Sequence, residues 1–231
     1  MEFLGQGLAE AIHRLVTLDA DVVEALSASL VVSGTATALS VAIGVPAGTA
    51  LGLARFRGRG LVLTLVNTGL GLPPVVVGLF VAIFLWRSGP LGDLNLYCTR
   101  QAMVIAQLIL GAPTVLGLTA IAVQSVDPML RLQLRALGAT PTQALWLFAR
   151  EARLPILTAA MAGFGAVISE IGASLMVGCN VKGDTRILTT AITLETGKGE
   201  FGTAIALGII LLALVFAVNA ATTWAQQRSR A

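Results

Sequence analysis

One histidine, two cysteines and one carboxylate inside a long apolar run are the side chains here with chemistry to offer. His13 stands alone in an N-terminal stretch, where a solvated or interfacial role is expected rather than catalysis. Cys98 and Cys179 have neither a CxxC nor a metal-type spacing. They are expected as two unpaired, half-buried thiols, with a disulfide as the alternative. The segment "GKGE" at 197–200 has the look of a phosphate loop, but it lacks a first glycine at the right spacing and a Ser or Thr after the lysine. No HExxH, Cys/His cluster or paired-carboxylate pattern occurs. No metal ligands, no nucleotide site, no cofactor and no catalytic set are therefore expected, and the chain does not read as an enzyme. Glu170, in "ISEIGASLMVG", remains. Carriers driven by ion gradients place acids or histidines within their spans as relays. A single carboxylate makes a thin relay, and it would serve equally at an outer helix end, satisfied by neighbouring helices.

The elements that must hold these groups are apolar. Of 231 residues, 56% are hydrophobic and 12% charged, and the mean hydropathy is +0.87. Soluble domains carry about 25% charged residues, so a membrane protein is indicated. Windows 27–54, 60–86, 101–126 and 201–227 are free of charge, and window 154–181 is interrupted only by Glu170. Each can cross a hydrocarbon core, which takes about 20 helical residues. None alternates with the period of a barrel strand. The expected fold is therefore all-α: one polytopic bundle over 1–231 with five transmembrane helices. Residues 1–26 are expected as an interfacial amphipathic helix, with Phe3, Leu4, Leu8, Ile12, Leu15 and Val16 on one face. They lack the basic start of a signal peptide, and no ATPase or regulatory domain is expected after the last window.

Arginines orient the bundle. Loop 55–59, loop 127–153 and the C-terminal tail hold Arg55, Arg57, Arg59, Arg131, Arg135, Arg150, Arg153, Arg228 and Arg230, against Asp127 and Glu151 alone. This side should be cytoplasmic, with the N-terminus outside and the C-terminus inside. The formal charge of +3 is thereby accounted for by topology, and no nucleic-acid partner is implied. Gly44, Gly48 and Gly52 repeat every four residues on one face of the first span, as a stripe for close helix packing. "NTGLGLPP" (Asn67 to Pro74) should break the second span, either as a packing kink or where a cavity is lined.

Loop 127–155 differs in kind from a connector. Asp127-Pro128 starts a short helix that runs to Leu137 and stops at Gly138. Thr140 caps a second helix, with Pro141 first and Gln143 completing a capping box. That helix carries Trp146 and Phe148, expected as large apolar groups near water, before Leu154-Pro155 leads into the next span. Two short helices on a tight turn make a compact knob suited to docking.

"LGATPTQALWLF…RLP" resembles the coupling loop of ABC importer permeases. Leu132-Gln133-Leu134 replaces the usual Glu-Ala-Ala, and the Leu-Pro falls about one helical turn late. "NTGLGLPPVVVGLF…RSGPLG" and "SEIGASLMVGCNVKGDTRILTTAITLETGKGEF" resemble matching regions of molybdate-type permeases, and the "ETGKGEF" ending is similar to the tungstate branch. The resemblance implies a type I importer that takes up an oxyanion: a permease homodimer, cytoplasmic ABC ATPase subunits that bind ATP and Mg, and an external solute-binding protein that selects the anion. It also implies an ATPase-docking surface of Leu137, Gly138, Ala139, Thr140, Pro141, Gln143 and Trp146. Asn67, Glu170, Thr185, Arg186, Thr189, Thr190 and Thr193 are candidates for the translocation path or gate. The alternatives are a permease for sulfate, thiamine or an amino acid, or a membrane scaffold that recruits a soluble partner.

Overall fold

A computed structural model describes residues 19–228 together with Gly5, Ala9, Ile12, His13 and Thr17. The expected N-terminal amphipathic face lies almost wholly outside the described residues. The rest is helical: α1 (Ala20–Leu53), α2 (Arg59–Leu70), α3 (Pro74–Leu85), α4 (Arg100–Gln124), α5 (Pro128–Ala136), α6 (Pro141–Glu151), α7 (Arg153–Ile168), α8 (Gly172–Gly178), α9 (Leu188–Lys198) and α10 (Phe201–Arg228). No strand occurs among the described residues.

Three helices, α1, α4 and α10, are long and apolar enough to cross a membrane unbroken. The other two expected spans are broken. α2 and α3 meet at 96° around Gly71–Pro73, where two prolines remove ladder donors. The second bent pair is α6 with α7, at 75°, and the expected window 154–181 is filled by α7 and then α8, interrupted at 169–171. No proline marks the break at 169–171.

The bundle is built on the α1–α4 pair. A Cβ on Gly44 would lie 2.9 Å from Val115 Cβ, and one on Gly52 would lie 2.9 Å from the Ala120 carbonyl oxygen. Small residues let the two backbones approach, which supplies the dispersion contacts that hold helices together in lipid. α3 joins in the same way: Gly78 abuts the Ala173 backbone of α8, where an added Cβ would sit 2.6 Å from Cα. Val77, Val81 and Leu85 of α3 then share a core with Ala28 and Val32 of α1, Met103 and Ala106 of α4, and Val177 of α8. A second cluster unites the start of α1 with α9 and α10. Leu212 and Phe216 of α10 are exposed, as a lipid-facing surface requires.

The two ends differ in chemistry. At one, the C-termini of α1 and α4 meet α5 and α6, and Gln226 near the end of α10 donates to Thr158 Oγ1 at 3.1 Å. The arginine-bearing segments 55–59 and 127–153 lie here. At the other end, Lys182 pairs with Asp21 at 2.7 Å and Arg100 with Asp184 at 3.0 Å. Cys98 and Cys179 also meet there in a disulfide, Cα–Cα 5.2 Å. The expectation of two unpaired thiols is thus corrected. Both cysteines have positive φ, 63° and 59°, in turns that bring the start of α4 against the end of α8.

Candidate functional site

The first site is the knob of α5 and α6. Asp127 Oδ1 accepts from Met129 N at 2.8 Å, capping α5. The helix ends where Ala139 N donates to the Leu134 carbonyl at 2.9 Å and Gly138 takes a φ of 71°. That bond spans five residues, the Schellman closure that needs a residue in the left-handed region. Thr140 then makes a reciprocal capping box with Gln143: Gln143 N donates to Thr140 Oγ1 at 3.3 Å, and Thr140 N to Gln143 Oε1 at 2.8 Å. The turn is thereby held by the Ala139–Leu134 bond, the reciprocal box of Thr140 with Gln143, and Pro141.

The knob is fastened to the bundle from below. Phe148 is 3% exposed and packs with Leu134 and Ala152 against Ala122 and Val123 of α4. The expectation that Phe148 faces water is therefore corrected: it roots the knob. Arg131 Nη2 donates to the Leu53 carbonyl and Arg59 Nε to the Leu51 carbonyl at 3.3 Å. Both close the C-terminal turn of α1, where carbonyls lack helical partners. Trp146 does face outward, at 60% exposure, with the Arg150 guanidinium 5.2 Å from its ring centroid. Leu137, at 81%, and the exposed Met129 and Leu132 extend this apolar surface. An exposed apolar patch on a rigid mount has the anatomy of a docking surface.

The second site lies at the disulfide-bearing end. Glu170 is buried and caps α8: Oε1 accepts from Ala173 N at 3.0 Å and Oε2 from Ser174 N at 3.2 Å. A carboxylate so placed answers the orphan donors of a helix that restarts inside the bundle. Thr189 Oγ1 donates to the Glu170 carbonyl at 3.1 Å, joining α9 to this break. Thr185 Oγ1 donates to the Gly178 carbonyl and accepts from Val181 N at 2.9 Å, closing the loop between α8 and α9. Thr190 Oγ1 accepts from Ile187 N at 3.1 Å and so caps α9, whose Leu188 N donates to Ser29 Oγ of α1 at 2.8 Å.

Glu170, Thr185, Thr189 and Thr190 are all buried; Thr189 is bonded to Glu170, while Thr185 and Thr190 bond to the backbone of their own loop and helix start. Arg186 is half-buried beside them, donating through Nη2 to the Asn180 carbonyl at 3.3 Å, while its Nε is buried without a partner. Thr193 is exposed on α9, and Asn67 is exposed on α2, in the turn before the 96° bend. Sequence reasoning passed over two members of this neighbourhood. Ser174 of α8 accepts from Gln107 Nε2 of α4 at 3.1 Å, fully buried. Gln107 is the only amide between residues 102 and 123 of the uncharged window, which was the available signal. α9 was also unanticipated, although Gly199, with φ 82°, marks its stop.

A chain of broken and unbroken spans carries a rigid, outward-facing knob at its basic end, the build of a membrane component with a docking surface. The chain belongs to the family of binding-protein-dependent transport system inner membrane components, whose profile matches residues 44–231. It is similar to a protein of Haloferax volcanii named "Probable anion ABC transporter permease protein", 48% identical over 83% of this chain and 85% of that one. It is also similar to the tungstate uptake system permease protein TupB of Peptoclostridium acidaminophilum, 38% identical over 95% of this chain and 96% of that one. Among solved structures, an inward-facing MetNI methionine ABC transporter matches with a TM-score of 0.69 at 18% identity, covering 92% of this chain and 95% of that chain. The type I importer fold and the multi-pass membrane setting follow.

Proposed function

We propose that two copies of this chain form the membrane path of an ATP-driven importer of tungstate or molybdate. The observation that carries this is the knob: a rigid turn, doubly capped, presenting Leu137 and Trp146 outward while Phe148 and Arg131 fix it to α4 and α1. Such a lever transmits motion only if something grips it. Cytoplasmic ABC ATPase subunits, which would bind ATP and Mg, are the partners that fit. Leu137, Gly138, Ala139, Thr140, Pro141, Gln143 and Trp146 make up the docking surface. The names of the relatives supply the cargo class, and an external solute-binding protein would select the anion.

The basic end is cytoplasmic in this proposal, with the N-terminus outside and the C-terminus inside. Arg186, Asn67 and Thr193 border the path, and Glu170, Thr185, Thr189 and Thr190 hold its outer wall in shape. No carboxylate relay is required, because Glu170 is occupied with capping α8.

Two measurements test this. Co-purification with an ATPase from the same operon separates a permease from a scaffold: no ATPase bound, or binding that survives Gly138→Val, rejects docking through this turn. ATP-dependent uptake of labelled tungstate, molybdate and sulfate into vesicles holding the partner proteins then identifies the cargo. Equal uptake of an unrelated solute rejects the oxyanion.

A further inference from the structure

The break at 169–171 parts α8 from α7, and α8 is bound to α4 at both of its ends. At its C-terminal end, Cys179 is bonded to Cys98 just before α4, and Cys98 N donates to the Val177 carbonyl at 3.0 Å. Met103 of α4 lies against Gly178, where an added Cβ would come 2.6 Å from Sδ. Near the start of α8, Gln107 Nε2 of α4 donates to Ser174 Oγ at 3.1 Å. Ser174 N donates in turn to Glu170 Oε2, and Thr189 Oγ1 donates to the Glu170 carbonyl. One run of bonds thus leads from α4 through α8 and the break to α9.

Gln107 offers little to stability. It is fully buried, and its Oε1 has no partner among the described residues. An interhelical side-chain bond in a membrane returns less than a buried acceptor without a donor costs. What the bond does supply is position. Apolar contacts tolerate sliding, whereas an amide–hydroxyl bond of 3.1 Å does not survive a slide of one helical residue, about 1.5 Å. Towards the basic end, Ala122 and Val123 of the same helix pack with Phe148 and Leu134 of the knob. Val123 lies 16 residues on from Gln107, about 24 Å along the helix. Pro113 falls between them, but α1 splints that stretch, with Gly44, Gly48 and Gly52 packed closely against 115–123.

We infer that Gln107 is a positioning residue for transport. Its amide sets the height of α8 on α4, and through Glu170 and Thr189 it sets the segment that carries Arg186 and Thr193. Movement of the knob, passed along α4, then reaches that segment as a displacement of α8 and α9 and is not lost at the break. This role rests on the transport reading given above; the bonds that hold α8 to α4 do not.

The test uses the full transporter, with its ATPase and binding protein, in lipid vesicles, and follows ATP hydrolysed and labelled tungstate or molybdate taken up. Gln107→Leu and Ser174→Ala are each expected to lower uptake per ATP at least about fivefold, which corresponds to one net hydrogen bond of about 1 kcal/mol, while hydrolysis continues. The double variant separates position from packing. With both partners apolar, no buried group is left unanswered, so it is expected to melt with the parent and still to show the low uptake per ATP. Gln226→Leu, which removes the amide bond to Thr158 at the other end of the bundle, is expected to keep the parent's ratio. Hydrogen exchange over 172–190 in the purified chain is expected to rise in Gln107→Leu and in the double variant. The inference is overturned if both single variants keep the parent's ratio, if the double variant regains the ratio together with its stability, or if Gln226→Leu loses as much. A parent that hydrolyses ATP and imports no oxyanion rejects the transport reading, and the role in transport with it, while raised exchange keeps Gln107 as the holder of α8.

Discussion

Gly48 of α1 faces the Leu116 carbonyl of α4 so closely that an added Cβ would lie 2.5 Å from its oxygen. The same Cβ would meet Thr119 Cβ at 2.8 Å, and neither neighbour is the free end of a flexible side chain. Gly48→Ala must therefore push the helices apart along their central contact. The expected cost is about 1–3 kcal/mol, read as a lower thermal midpoint and broadened size-exclusion profile in detergent. Gly34→Ala, on the same helix with nothing within 4 Å of the new methyl, should be neutral or slightly stabilising, since alanine is the better helix former.

Trp146 and Phe148 lie two residues apart on α6 and are expected to separate docking from folding. Phe148→Ala empties the core beneath the knob and should cost about 3–5 kcal/mol. Trp146→Ala should leave the melting curve of the isolated chain unchanged while lowering the yield of co-purified ATPase at least about tenfold, as loss of an aromatic anchor does. Loss of stability in both variants, with docking unaffected in Trp146→Ala, would assign the tryptophan a packing role instead.

These contrasts also mark what could be read from sequence. Uncharged windows located the three unbroken spans α1, α4 and α10 and the bent α2–α3 pair, because charge is costly in hydrocarbon. The caps at Asp127, Thr140 and Gln143 formed as their residue types require. Phe148 was placed on the wrong face although the signal was present: residues i and i+2 of a helix do not share a face, so an outward Trp146 already implied an inward Phe148. The break at 169–171 was harder. Its sign is Glu170, which reads equally as a thin relay or as a helix-end group until its two oxygens are seen on Ala173 N and Ser174 N. The cysteine pairing, across 81 residues, depends on how α4 and α8 dock, which no local spacing encodes.

Glu170 gives the third prediction. If its carboxylate serves to restart the helix at α8, Glu170→Ala leaves two buried donors unanswered and should cost about 1–3 kcal/mol. Glu170→Gln keeps one acceptor oxygen and should cost less. ATP-driven uptake should then persist in Glu170→Gln, in proportion to the amount of folded protein. A Glu170→Gln variant that melts with the parent yet transports nothing would mark the carboxylate as a proton relay.

The Cys98–Cys179 disulfide ties the residue before the cap of α4 to the C-cap of α8, and Cys98 N donates to the Val177 carbonyl at 3.0 Å beside it. It sits at the end opposite the arginine-bearing segments 55–59 and 127–153, and disulfides persist where the compartment is oxidising. In the proposed orientation that end faces outside. Maleimide labelling of the denatured, unreduced protein should therefore find no free thiol, and two after reduction. On intact cells, a membrane-impermeant reductant should expose the same pair to a membrane-impermeant maleimide. Cys98→Ser and Cys179→Ser should each lower stability by about 2–4 kcal/mol, and the double variant by no more than either, because both remove one bond. Thiols that label before reduction would reject the pairing. Thiols reduced only by a permeant agent would reverse the orientation, and with it the cytoplasmic position of the knob.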